Sequence, residues 1–193
     1  GGDLTVTAGA VMLNGGTVNG NATYTKTGTT NDWGTGGCTF NGVLDLTNTG
    51  AGILGPCNTG ADTYNGDIRV SNTSTGSIRF GNGGGIGTLA AGRTLTVGSG
   101  GYDDGLFLLD HFIQTGATPQ TITLGASALM YIRSGCDFGG DLTITAEGYY
   151  ISGSTFHGAC MFTKTGSVNE GSQGGNTFHG PVDLVVSGDG GFF

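Results

Sequence analysis

Three groups of residues have the types and spacing to do chemistry. The first is Gly100-Gly101-Tyr102-Asp103-Asp104-Gly105, with Asp110-His111 close behind, the densest acidic spot in the chain. Oxygen-rich turns of this kind can hold calcium. Tandem calcium repeats of β-helices use Gly-Gly-x-Gly-x-Asp, and here the pattern occurs once and imperfectly, so Asp103 and Asp104 are weak ligand candidates. Paired carboxylates also serve glycoside cleavage, but such sites gather several charges on one face and this chain spreads its few charges thinly.

The second group is His157 and His179, each between a Phe and a Gly. They could stack within metal-bridging distance, yet a third ligand is not visible. Asn19, Asn41 and Asn65 hold the same place before Gly, and Asn and His both tolerate a left-handed turn conformation, so a turn role is favoured. The third group is Cys38, Cys57, Cys136 and Cys160, with no Cys-x-x-Cys spacing to support zinc. Cys160 falls where other segments place apolar residues, which predicts a buried thiol. One or two disulfides, among three possible pairings, would suit a secreted protein. The expectation is no enzyme, no catalytic residue and no cofactor, with calcium the one ion that has weak support.

Threonine pairs form a further pattern: Thr5/Thr7, Thr23/Thr25, Thr94/Thr96, Thr121/Thr123 and Thr143/Thr145. A flat array of outward threonines could bind ice or a glycan. Asp45, Arg69, Met161 and Asp183 interrupt it, and threonine is also a good residue for a solvated strand.

The chain has 193 residues, 43 of them glycine, only 10% charged, and a formal net charge of −8. Its cations (Lys26, Lys164, Arg69, Arg79, Arg93 and Arg133) are scattered, so no basic stripe exists for nucleic acid or anionic lipid. No apolar run approaches the roughly 18 residues of a membrane span.

The elements that would position these groups are set by repetition. Gly1–Gly55 returns without a gap as Gly139–Phe193, Leu4-Thr5-Val6-Thr7 becoming Leu142-Thr143-Ile144-Thr145, an offset of 138 positions. Residues 1–138 are thus one long repeat and 139–193 a partial second copy, read as a single segment of a longer repeat protein. A shorter motif recurs inside it: Thr39-Phe40-Asn41-Gly42, Thr63-Tyr64-Asn65-Gly66, Thr155-Phe156-His157-Gly158 and Thr177-Phe178-His179-Gly180, with weaker forms at Thr17, Thr88 and Asp137. After each comes a period-2 strand. Leu44/Leu46, Ile68/Val70, Leu95/Val97, Ile122/Leu124, Leu142/Ile144, Cys160/Phe162 and Val182/Leu184 should face one side.

Short strands joined by glycine-rich turns predict an all-β protein, a parallel β-solenoid (right-handed β-helix) with coils of about 18–25 residues, six to the long repeat. Leu106–Ile113 is the only stretch with room for a short helix. Phe40, Tyr64, Phe138, Phe156 and Phe178 should form the core ladder, and Gly42, Gly66, Gly140, Gly158 and Gly180 the turns. One coil buries too little to fold alone, so stacking must supply the rest.

Thr39–Gly50, Thr88–Gly98 and Gln114–Thr121 resemble the very large β-strand-repeat surface proteins of Bacteroidetes. The resemblance implies an extracellular or cell-surface location, type IX export, and a structural or adhesive role in a stalk or filament. Partners would be self, through neighbouring repeats or end-to-end protomers, and glycans or surfaces. Two alternatives stay open: a solenoid binding glycan or ice through a threonine-rich face, and a polysaccharide lyase-like β-helix enzyme.

Overall fold

The computed structural model describes residues 2–168 and 171–189. Every regular element in them is a strand, and all pairing is parallel. Three sheets run along one column. The first holds nine strands, from Leu4–Ala8 to Val182–Val186; the second eight, from Asn14–Val18 to Thr177–Phe178; the third six, from Asp32–Trp33 to Gly148–Ile151. In each sheet a strand bonds to its counterpart one coil away, so the chain is a β-solenoid. The stretch Leu106–Ile113 is strand, split by His111 between Asp104–Asp110 and Phe112–Gln114.

Register confirms the short period. One outward column of the first sheet runs Thr5, Thr23, Asp45, Arg69, Thr96, Thr121, Thr143, Met161, Asp183. Thr5 and Thr143, the two ends of the 138-residue offset, lie six rungs apart, about 29 Å at the strand spacing. The steps run from 18 to 27 residues, as the numbering of this column shows. The longest, Arg69 to Thr96, exceeds the expected coil because the corner between Leu89 and Leu95 holds two more residues than that between Tyr64 and Ile68.

Alternation in the strands fills the interior. Leu44, Leu46, Ile68, Val70, Leu95, Val97, Leu142, Ile144, Cys160 and Phe162 are buried as expected, and the third sheet adds Leu54, Ile78, Phe80, Phe107, Met130 and Ile151. Phe40 stacks on Tyr64 with centroids 5.8 Å apart, and Phe138 on Phe156 at 5.7 Å. Between these pairs the ladder passes through Leu89 and Gln114, which fills the gap left by the aromatic motif.

Three expectations need correction. Phe178 stacks on Phe156 at 4.8 Å but is 38% exposed, because no described coil covers its other face. Val182 and Leu184 pair with Cys160 and Phe162 yet are exposed for the same reason. Ile122 and Leu124 do face inward and are buried, although Ile122 pairs with Val97 and Gln120 takes the Leu95 rung. Of Thr94/Thr96, only Thr96 lies in the paired outward columns.

The glycines of the motif act by close approach. Gly42, Gly66, Gly140, Gly158 and Gly180 have no positive φ; a Cβ on any of them would come closer than 3.0 Å to backbone of the coil beside it. Nor are Asn19, Asn41, Asn65, His157 or His179 left-handed, contrary to the turn argument; the described non-glycine residues with positive φ are Cys57, His111 and Ser134.

Candidate functional site

The motif Asn and His residues form side-chain ladders on the outside. Asn41 Nδ2 donates to Asn19 Oδ1 and Asn65 Nδ2 to Asn41 Oδ1, both at 2.8 Å. The His157 and His179 rings stack with centroids 4.9 Å apart and planes 11° from parallel, and His157 Nε2 lies 3.1 Å from Asp137 Oδ1. Parallel stacked imidazoles aim their ring-plane lone pairs side by side, not at a shared point. Among the described residues no group of three His, Cys, Asp or Glu side chains could hold a metal ion.

The acidic stretch does not converge. Asp104 starts and Asp110 ends the same strand, about 20 Å apart at strand rise. Asp104 Oδ1 accepts from Gly105 N at 2.6 Å. Asp110 is buried, with Oδ2 accepting from Arg133 Nε at 3.0 Å and Oδ1 lying 2.6 Å from His111 Nδ1.

All four cysteines are free and buried. Burial pushes the Cys57 and Cys136 thiols up to about 12 and Cys160 up to about 11, so they stay protonated and unreactive. Cys38 and Cys57 border a buried cluster centred on Asp62. Its carboxylate accepts from Cys38 N at 2.8 Å and from Tyr64 Oη at 3.2 Å, and Tyr64 Oη also lies 3.6 Å from Cys57 Sγ. Desolvation raises the Asp62 carboxyl, with these hydrogen bonds opposing it. The arrangement ties backbone donors of neighbouring coils to one acceptor.

A second buried polar set lines the corner between the first and third sheets. Lys26 Nζ meets Asp32 Oδ2 at 2.7 Å with both side chains shielded from solvent, and Val11 N and Thr30 Oγ1 also donate to that carboxylate. One coil on, Asn48 stands in the Lys26 place and donates to the carbonyls of Gly52 and Ser77; Asn72 follows, donating to those of Ser74, Gly76 and Asp104. Lys164, equally buried, donates to the Gly166 carbonyl. Both lysines thus serve the interior, and neither is a surface cation.

Outward, the chemistry concentrates on two surfaces. The first sheet carries a second column of hydroxyls, Thr7, Thr25, Thr47 and Ser71, resumed after an irregularity by Thr123, Thr145 and Thr163. The second sheet carries another, Thr17, Thr39, Thr63 and Thr88, then Ile113 and Asp137, then Thr155 and Thr177. The third sheet is different: its outward column runs Arg79, Leu108, Tyr131, Tyr150. Tyr131 and Tyr150 stand with centroids 5.2 Å apart, and Leu108, though in the outward column, is only 1% exposed. Alternation alone hides this face, since Leu106–Leu109 reads as an unbroken apolar run whose inward residues cannot be picked out.

No protein-family model, curated protein or solved structure matches this chain.

Proposed function

We propose that the chain is a structural and adhesive repeat module, part of an extracellular stalk or filament. One observation carries the reading: the first sheet continues through nine strands without a break, so the molecule's ordering is devoted to coil-on-coil contact. Amide and ring ladders run alongside it at the same spacing. Such a column resists local opening because each strand is held on both sides, and it gains reach by adding coils. The resemblance of Thr39–Gly50 and Thr88–Gly98 to bacterial surface repeats supports the location. Immunogold electron microscopy of native material tests it: label on fibres or stalks outside the cell is expected, and label confined to the cell interior contradicts it.

A second reading rests on the hydroxyl columns of the first and second sheets. Regularly spaced threonines on a flat sheet could engage ice or a glycan lattice. Thermal hysteresis and ice recrystallisation assays at high protein concentration check the ice reading, and inactivity in both removes it. The lyase reading gains nothing from Asp103–His111, whose acidic groups point to separate ends of a strand.

A further inference from the structure

We propose that the outward face of the third sheet binds an acidic saccharide, with a sugar ring against Tyr131 and Tyr150 and its carboxylate held by Arg79 and Arg133. This goes beyond the structural reading and does not depend on it. Sugar recognition needs a flat apolar patch for the C–H face of the ring and fixed polar groups at its rim. Tyr131 and Tyr150, their ring centroids 5.2 Å apart, supply the apolar surface, and Arg79, two rungs from Tyr131 across the covered Leu108, and Arg133 supply the polar rim.

The charges say which saccharide. Of six cations in a chain of net charge −8, Lys26 and Lys164 are spent inside, Arg69 faces Asp45 at 3.8 Å, and Arg93 lies exposed in the corner before Leu95. Arg79 and Arg133 share this one face, close enough that burial first and the like charge of Arg133 second push the Arg79 guanidinium down. Arg133 is fixed, its Nε on Asp110 Oδ2 at 3.0 Å and its Nη2 on Asn82 Oδ1 at 3.2 Å. Arg79 has no hydrogen bond or ion pair to any described residue, and its Nε is shielded from solvent. A shielded guanidinium N–H without an acceptor is costly, and a second arginine beside it adds repulsion. A carboxylate on a bound sugar, pairing with the unshielded terminal nitrogens of Arg79, would offset that repulsion, and the tyrosines favour a sugar acid over a bare anion.

The test is calorimetric titration of the whole chain with a short galacturonate oligomer at low salt. Its neutral methyl ester, sodium sulfate and polyglutamate are titrated in parallel. Saturable binding to the oligomer is expected, with the ester at least about tenfold weaker, as loss of a charged hydrogen-bond partner requires. Arg79→Gln and Tyr131→Ala should each weaken binding about tenfold, and Tyr131→Phe should retain it. Arg79→Gln removes no described hydrogen bond or ion pair and relieves a shielded charge, so it should melt no earlier than the parent and keep the test valid if Tyr131→Ala fails to fold. Absence of binding, equal affinity for oligomer and ester, equal affinity for sulfate or polyglutamate, or unchanged affinity in Arg79→Gln would each overturn the proposal.

Discussion

Phe156 lies between Phe138, 5.7 Å away and 3° from parallel, and Phe178, 4.8 Å away and 9° from parallel, with Phe162 edge-on at 6.0 Å. Removing its ring opens a cavity that neighbouring backbone ladders prevent from closing. Phe156→Ala should therefore cost about 3–5 kcal/mol in a denaturant melt, and a loss below about 1 kcal/mol would contradict the packing. Asp32 is the electrostatic counterpart. Burial alone would raise its carboxyl, yet Lys26, Val11 N and Thr30 together hold it below the ordinary value of 3.8. A carboxyl depressed on folding favours the folded chain above that value, and the contribution is lost as pH falls through the folded pKa. Asp32→Asn leaves Lys26 buried without a counter-charge. It should cost about 3–5 kcal/mol at neutral pH and flatten the acid limb of the stability profile below about pH 4. Urea melts from neutral to acid pH check both; an unchanged acid limb would contradict the pairing.

At the scale of strands and corners, the motif glycines decide how closely coils approach. A Cβ at Gly66 would strike the carbonyl of Gly42, and one at Gly42 the carbonyl of Gly20, whereas one at Gly9 meets nothing within 4 Å. Gly66→Ala should cost about 1–3 kcal/mol or more by forcing coils apart, while Gly9→Ala should stay within about 0.5 kcal/mol. Equal melting temperatures would contradict the close-approach account. The same elements show what could be read beforehand. Leu44/Leu46, Ile68/Val70 and Leu142/Ile144 were legible because two-residue alternation and burial point the same way. Gln114, Gln120, Lys26 and Lys164 were not, since a polar residue at an inward place makes sense only with its acceptors, which lie across turns and neighbouring coils. One signal was available: Lys26-Thr27-Gly28, Asn48-Thr49-Gly50, Asn72-Thr73-Ser74 and Lys164-Thr165-Gly166 repeat a side chain with a donor nitrogen before Thr and a small residue. The arginine–tyrosine face left no such trace, because Arg79, Tyr131 and Tyr150 become neighbours only through register.

The whole molecule is close to one-dimensional: each coil bonds to the coil beside it, and stability is a sum of coil and interface terms. The 138-residue echo is accordingly a duplicated stack, its copies successive levels of one column six rungs apart. The weakest interface is expected where the first sheet is irregular, between Val97 and Tyr102, beside the longest coil. Native-state hydrogen exchange tests the continuity of the column most directly. If the stack is one structural unit, the amides of Leu46, Val70, Ile122 and Ile144 will exchange together, through a shared opening. Those of the edge strands Leu4–Ala8 and Val182–Val186 will exchange first. Strong protection on one side of the Val97–Tyr102 irregularity with free exchange on the other would contradict it, dividing the column into two separate bodies.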